Sequence, residues 1–231
     1  MLELEKVRVD KGAFRLSADL SIQTGARVAI IGPSGAGKST LINAIAGFEP
    51  LASGAIRFKG SDIGVKEPGQ RPIAILFQDQ NLFPHLTLSQ NAALGLNPNL
   101  RLSAQDHARV DHALDQVGLA DFRKRLPANV SGGQQSRAAL ARMSLQARDI
   151  VLLDEPFAAL GPALKADMLD LVASHCDRTN ATLLMVSHDP TDALRLCPQS
   201  ILVADNMART PQDTRDLLDD PPPALRAYLG K

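Results

Sequence analysis

The sequence predicts an α/β fold: a parallel-sheet core, an antiparallel β-subdomain before it and a mostly helical insert within it. Three observations carry this expectation. Short apolar runs at residues 27–31, 149–154 and 182–187 have the length and continuity of strands buried on both faces. A helical pattern through 164–176 separates the last two, the alternation of βαβ units. The first 22 residues instead alternate apolar with polar side chains, as strands with one buried face do.

Taken in order, Leu2, Leu4, Val7 and Val9 mark a first strand, and Phe14, Leu16, Ala18, Leu20 and Ile22 a second. Residues 27–31 form a fully buried strand, residues 32–37 a Gly-rich turn, and 38–48 a helix. Further strands are expected at 55–59 and 73–77. The stretch 102–117, rich in Ala, Asp, His and Gln, reads as a helix of the insert, which spans roughly 85–145. A last strand follows at 200–204. Asp219-Asp220 and the prolines at 221–223 then punctuate two short helical segments rather than building another domain, so the 231 residues are expected to form a single domain without a C-terminal regulatory one.

Lys plus Arg equals Asp plus Glu, 25 against 25, so no net field recruits nucleic acid or an anionic surface, and a nucleic-acid partner is not expected. Cys176 and Cys197 have no metal-ligand spacing and fit buried thiols of a reduced compartment. The start carries neither a basic leader nor an apolar signal core, and no run approaches the ~18 apolar residues of a membrane span. If a membrane is served, another chain is expected to cross it.

The chemistry concentrates in a few segments. Gly32-Pro33-Ser34-Gly35-Ala36-Gly37-Lys38-Ser39-Thr40 fits the pattern G-x-x-x-x-G-K-[ST] between a strand and a helix. In that pattern backbone N–H groups wrap the phosphates of ATP, Lys38 reaches the β and γ phosphates, and the Ser39 hydroxyl ligates Mg²⁺. Residues 150–153 lead to Asp154-Glu155, a strand end that puts Asp154 beside the same Mg²⁺ and Glu155 where a carboxylate polarises the attacking water. Ser131-Gly132-Gly133-Gln134, followed by a helix bearing Ala and Arg, is a third element; Ser131 there is also a plain helix cap.

With that third segment the chain resembles the ATP-binding-cassette (ABC) ATPases, whose L-S-G-G-Q signature residues 130–134 closely follow. The resemblance runs from Leu2 to about Asp205. It implies a P-loop fold with a RecA-like core, and two ATP molecules sandwiched in a homodimer in which Ser131, Gly132, Gly133 and Gln134 meet the γ-phosphate held by the partner copy. It further implies that Gln78 touches Mg²⁺ and the water, that His188 contacts the γ-phosphate, and that Glu155 is the general base. Three departures stand out. Val130 replaces the signature leucine. Gly161 stands where the family has an aspartate that couples the two ATP sites. Lys11 falls where an aromatic ring stacks on adenine, with Phe14 the nearest substitute.

Long heptad arms, zinc-binding inserts and a second cassette, the marks of ABC ATPases acting on DNA or ribosomes, are absent from the sequence, so a transport motor working with separate permease chains is expected. The segment 72–98, together with Gly47-Phe48, residues 154–157 and 184–188, is similar to the bacterial thiamine importer ATPases. That similarity implies a peripheral protein on the cytoplasmic face of the inner membrane, served indirectly by a periplasmic solute-binding protein. Importers of iron(III), polyamine, sulfate and molybdate share much of the segment and stay open as alternatives.

Overall fold

Strand patterning decides the architecture. The computed structural model describes residues 1–77, 81–158 and 160–229. Two units emerge, the first made of Met1–Ile73, Asp149–Asp154 and Cys176–Lys231, the second of Ala74–Arg148 and Glu155–His175.

In the first unit, β1 (Leu2–Lys11) and β2 (Phe14–Ile22) form an antiparallel hairpin, Leu2 facing Ile22 and Val9 facing Leu16. Its apolar residues are buried and the intervening charges exposed, as the alternation requires. The alternation slips once: two residues, not one, separate Leu4 from Val7. A bulge at Lys6 absorbs the extra residue and keeps both apolar sets on the core side. On the far side of β1 pairs β4 (Ser53–Phe58), and beyond it β5 (Ser61–Asp62).

The core strands are β3 (Arg27–Ile31), β7 (Ile150–Asp154), β8 (Thr182–Val186) and β9 (Gln199–Ala204), running parallel in the order β9-β3-β8-β7. Val28, Ile30, Leu152, Leu153, Leu184 and Val186 have no exposed surface, which explains why these runs are apolar throughout. A short strand, β10 (Met207–Ala208), lies parallel to β2 and antiparallel to β9 and joins the two halves into one sheet. β11 (Gln212–Asp213) pairs with β9, and the helices α1 (Lys38–Ala46), α6 (Pro190–Leu196), α7 (Thr214–Asp219) and α8 (Pro223–Leu229) complete the unit. The observed bounds differ from the expected ones by a few residues. α1 ends at Ala46, two residues before the expected end, because Gly47 leaves the helix at φ 93°. β6 (Ile73–Leu76) leads out of the first unit, and α5 (Pro162–Thr179) leads back into it. Among the described residues no helix is long and apolar enough to cross a membrane.

The second unit packs α2 (Leu88–Ala93), α3 (Ala104–Gln116) and α4 (Gly132–Ser144) against one another. Each begins with a reciprocal capping box: Thr87 with Gln90, Ser103 with Asp106, Ser131 with Gln134. The Ser103 hydroxyl, donating to the Asp106 carboxylate at 2.8 Å, holds that acid below its usual range. Asn91 is buried completely within the unit. Its amide donates to the carbonyls of Phe83 (3.1 Å), Leu86 (2.9 Å) and Thr87 (3.0 Å), and its oxygen accepts the Phe83 N–H at 2.7 Å. One side chain therefore fixes the whole segment 83–87, holding the Phe83 ring half exposed beside His85.

Two tests follow from this packing. Asn91→Leu keeps the volume and removes every one of those bonds. Because it strands buried backbone groups, stability should fall by about 1–3 kcal/mol, lowering the melting temperature by about 2–4 °C per kcal/mol; an unchanged melting curve would show that the segment is held by something else. Burial pushes the Cys176 thiol up from 9.0 to about 11, and the Cys197 thiol further in the same direction. Iodoacetamide at pH 8 should therefore label both slowly in the native chain and rapidly after denaturation. The unfolded chain releases these protons near pH 9 while Cys176 keeps its own until about pH 11, so stability present below pH 9 should decline across that interval.

Candidate active site

β3 lies between β9 and β8 in the parallel sheet, so the carboxyl ends of these strands share one edge, where α/β sheets bind their ligands. Three adjacent parallel strands deliver polar residues there. After β3 come residues 32–37 and then Lys38 and Ser39 on α1; β7 ends in Asp154; β8 is followed by Ser187 and His188.

The start of α1 is built to receive an anion. Its N-cap, Gly37, is in a left-handed conformation at φ 104° and offers no side-chain cap, and the first turn holds no acidic residue. By contrast α2, α3, α4, α6 and α7 all carry a side-chain cap. The first amides of α1 have no carbonyl to reach within their own helix, and the positive end of the helix dipole adds to their attraction for an anion. Gly37 is obligatory for two reasons. Its φ disfavours any side chain, and an added Cβ would sit 2.6 Å from Cζ of Phe14.

Lys38 is buried, its ammonium donating to the carbonyls of Gly32 and Pro33, each at 2.9 Å. The Ser39 hydroxyl donates to Asp154 Oδ1 at 3.2 Å, which brings together two oxygen atoms of the type that hard cations prefer, from distant parts of the chain. At its other end α1 is anchored by Arg71. That guanidinium, buried and lowered in pKa by desolvation, donates to Ala44 O (2.9 Å), Ile45 O (2.7 Å), Gly64 O (2.9 Å) and Lys66 O (3.0 Å). A cation on the last carbonyls of the helix suits its dipole.

His188 is exposed on a segment fixed by its neighbours. Ser187 donates to Asp192 Oδ2 at 2.8 Å and accepts the Asp189 N–H at 3.1 Å, while Asp189 caps α6 through Thr191 N at 2.9 Å. Glu155 is the residue after β7 and has φ 49°, a conformation rare for an L side chain and typical of functional positions. It begins a stretch of the second unit. Ser131 to Gln134 also belong to that unit. Ser131 does cap α4, accepting from Gln134 N at 3.3 Å while its own N–H donates to Gln134 Oε1 at 2.8 Å; Ser131 and Gly132 are exposed.

The expected residues thus divide: Lys38, Ser39, Asp154 and His188 lie in the first unit, Glu155 and Ser131, Gly132, Gly133 and Gln134 in the second. Gln78 lies outside the described residues, as does Ala159. Lys11 forms a salt bridge to Glu49 at 3.1 Å, and Phe14 packs on the phosphate loop at Gly37. Arg71, Ser187 and Asp192 were not legible as site residues. Their contribution runs through hydrogen bonds to main chain or neighbours, which leave no periodic trace.

Comparison with known proteins places the chain in one family. The family model described as ABC transporter matches residues 16–158. The thiamine import ATP-binding protein ThiQ of Ruegeria sp. is 58% identical, covering 100% of both chains. The protein of that name from Yersinia pseudotuberculosis is 47% identical over 95% of this chain and 93% of its own. Among solved structures, the ATP-binding cassette MJ0796, in a dimeric post-hydrolysis state bound to ADP and phosphate, superposes with a TM-score of 0.83 at 27% identity, over 93% of this chain and 99% of that one.

The two constraints on Gly37 can be separated. Gly37→Ala should weaken ATP binding at least tenfold, about 1.4 kcal/mol. Adding Phe14→Ala relieves the clash but not the backbone strain, so titration with a fluorescent ATP analogue should show partial recovery; full recovery would mean that φ at Gly37 does not matter.

Proposed function

Since the chain belongs to the ABC transporter family of ATP-binding proteins, we propose that it is the ATP-hydrolysing subunit of a bacterial importer that takes up thiamine or its phosphates through separate permease chains. The observation that carries this reading is the uncapped start of α1 with Lys38, Ser39 and Asp154 around it, in a chain alike from end to end to proteins named for thiamine import.

In this reading the amides of residues 35–39 and Lys38 bind the phosphates of ATP. Ser39 and Asp154, whose oxygens are already 3.2 Å apart, would hold Mg²⁺, joined by Gln78. The ion's contribution when bound is to neutralise charge on the β and γ phosphates. Ser131, Gly132, Gly133 and Gln134 of a second copy close over the γ-phosphate. Closure is the working stroke: contacts made only in the closed dimer supply the free energy that moves the permease. Glu155 then takes a proton from the attacking water, and His188 holds the γ-phosphate as its charge builds. Separation of the products removes the contacts that closed the dimer, and the cycle resets. The subunit would work at the cytoplasmic face of the inner membrane, receiving cargo indirectly from a periplasmic binding protein.

Uptake of labelled thiamine in cells lacking this chain and any redundant thiamine transporter tests the proposal. Wild type should restore uptake and Glu155→Gln should not, while the purified Glu155→Gln protein should elute as a dimer with ATP. Normal uptake in the deletion strain would remove thiamine as cargo; a variant that binds ATP yet stays monomeric at high concentration would remove the sandwich.

A further inference from the structure

A hollow of about 630 Å³ opens on the first unit, lined by none of the phosphate-loop residues. That volume suits a small organic molecule. Part of its lining is a row crossing four strands, in which Arg8 stands opposite Ser53 on one side and Ser17 on the other, and Ser17 opposite Met207. The bulge in β1 shapes it. Lys6, the extra residue, holds φ 46°, and two neighbours are fitted to it: Asp19 Oδ1 accepts the Lys6 N–H at 3.2 Å, and Gly54 has no side chain where a Cβ would lie 2.4 Å from Lys6 O. A strained bulge maintained in this way re-aims side chains. Here Lys6 lines the hollow, exposed and without an ion-pair partner among the described residues.

The charges of the lining are unequal. Lys6, Arg8 and Arg209 are cationic, and Asp19 is the single anion. Arg8 is steadied by Asp10 at 2.8 Å, whereas Arg209 approaches Asp205 only to 3.9 Å. Half-exposed Met207 adds a thioether, which packs favourably on aromatic rings. Three cations suit a diphosphate, the lone carboxylate a positive charge, and the thioether a ring.

We infer that this hollow binds a small organic diphosphate carrying one cationic aromatic ring, the phosphorylated form of the proposed cargo. The identity of the ring rests on the thiamine reading; the diphosphate and cation subsites rest on the lining. Thiamine, with its positive thiazolium ring, satisfies the Asp19 side but brings nothing to Lys6 and Arg209. Inorganic diphosphate does the reverse. ATP has no cationic ring to meet Asp19.

Calorimetric titration of the full chain with thiamine diphosphate tests this, with a non-hydrolysable ATP analogue and Mg²⁺ kept saturating so that the phosphate loop is filled. One site per chain is expected, weakened at least tenfold by Lys6→Glu with Arg209→Glu, two exposed positions whose exchange should leave affinity for the ATP analogue unchanged. Asp19→Asn should remove the preference for thiamine diphosphate over inorganic diphosphate. Silence with thiamine diphosphate, equal binding of inorganic diphosphate by wild type, or equal binding by the charge-reversed variant would each overturn the proposal. Failure here is distinct from failure of the cargo reading: a silent titration beside lost thiamine uptake in deletion cells removes the hollow alone, whereas binding beside normal uptake keeps the site and removes thiamine as the transported solute.

Discussion

The first amides of α1 have no partner within their own helix, and the site is organised around leaving them so. Five other helices have their starts closed by the side chains of Thr87, Ser103, Ser131, Asp189 and Asp213. At α1 a left-handed glycine replaces the cap, so donor capacity that would otherwise stabilise the fold is reserved for a ligand. Such a helix end must be secured by other means. Arg71 does this at the opposite terminus, tying the carbonyls of Ala44 and Ile45 to those of Gly64 and Lys66, and Phe14 packs on the loop at Gly37. Lys38 is likewise held in advance, its ammonium on the loop's own carbonyls rather than free in solvent. The arrangement is prepared for an anion before one arrives, which lowers the reorganisation that binding requires.

The parallel strands explain how residues far apart in sequence reach that helix. β3, β8 and β7 are neighbours with the same direction, so whatever follows their carboxyl ends gathers at one edge. Asp154 meets Ser39 across 115 positions of sequence for this reason alone. Between β7 and β8 the chain runs through the second unit, which contributes Glu155 immediately after Asp154. The peptide linking these two carboxylates joins β7 to the unit that carries α4, and the left-handed φ of Glu155 is the turn made there.

Much of this was legible because it is periodic or carried by a motif. The buried strands announce themselves as unbroken apolar runs, the hairpin as alternation, and the phosphate loop as glycines at fixed spacing before Lys38. The bulge at Lys6 was legible in principle, since two residues separate Leu4 from Val7 where alternation allows one. What stayed hidden is of one kind: a single polar side chain satisfying main chain some residues away, as Asn91 does for residues 83–87 and Arg71 for α1. Such bonds depend on where the backbone passes, and a sequence shows that only after folding. The same holds for the hollow beside β1, whose lining comes from residues 6–8, 17–19, 53 and 207–210.

Ser131 shows why a structural and a functional reading of one residue need not compete. The capping box of α4 uses the Ser131 N–H, the Gln134 N–H and one lone pair of the Ser131 hydroxyl. It leaves the amides of Gly132 and Gly133, which as the first residues of a helix have no carbonyl to reach, and the proton of the hydroxyl itself. Those are the donors that a phosphate presented by a second copy would meet, on the exposed end of the helix. Closing the proposed dimer therefore breaks no bond of the cap. The helix start stays ordered whether or not ATP faces it, and the contact with the γ-phosphate adds to the stability of the closed state without first spending any on unmaking the open one.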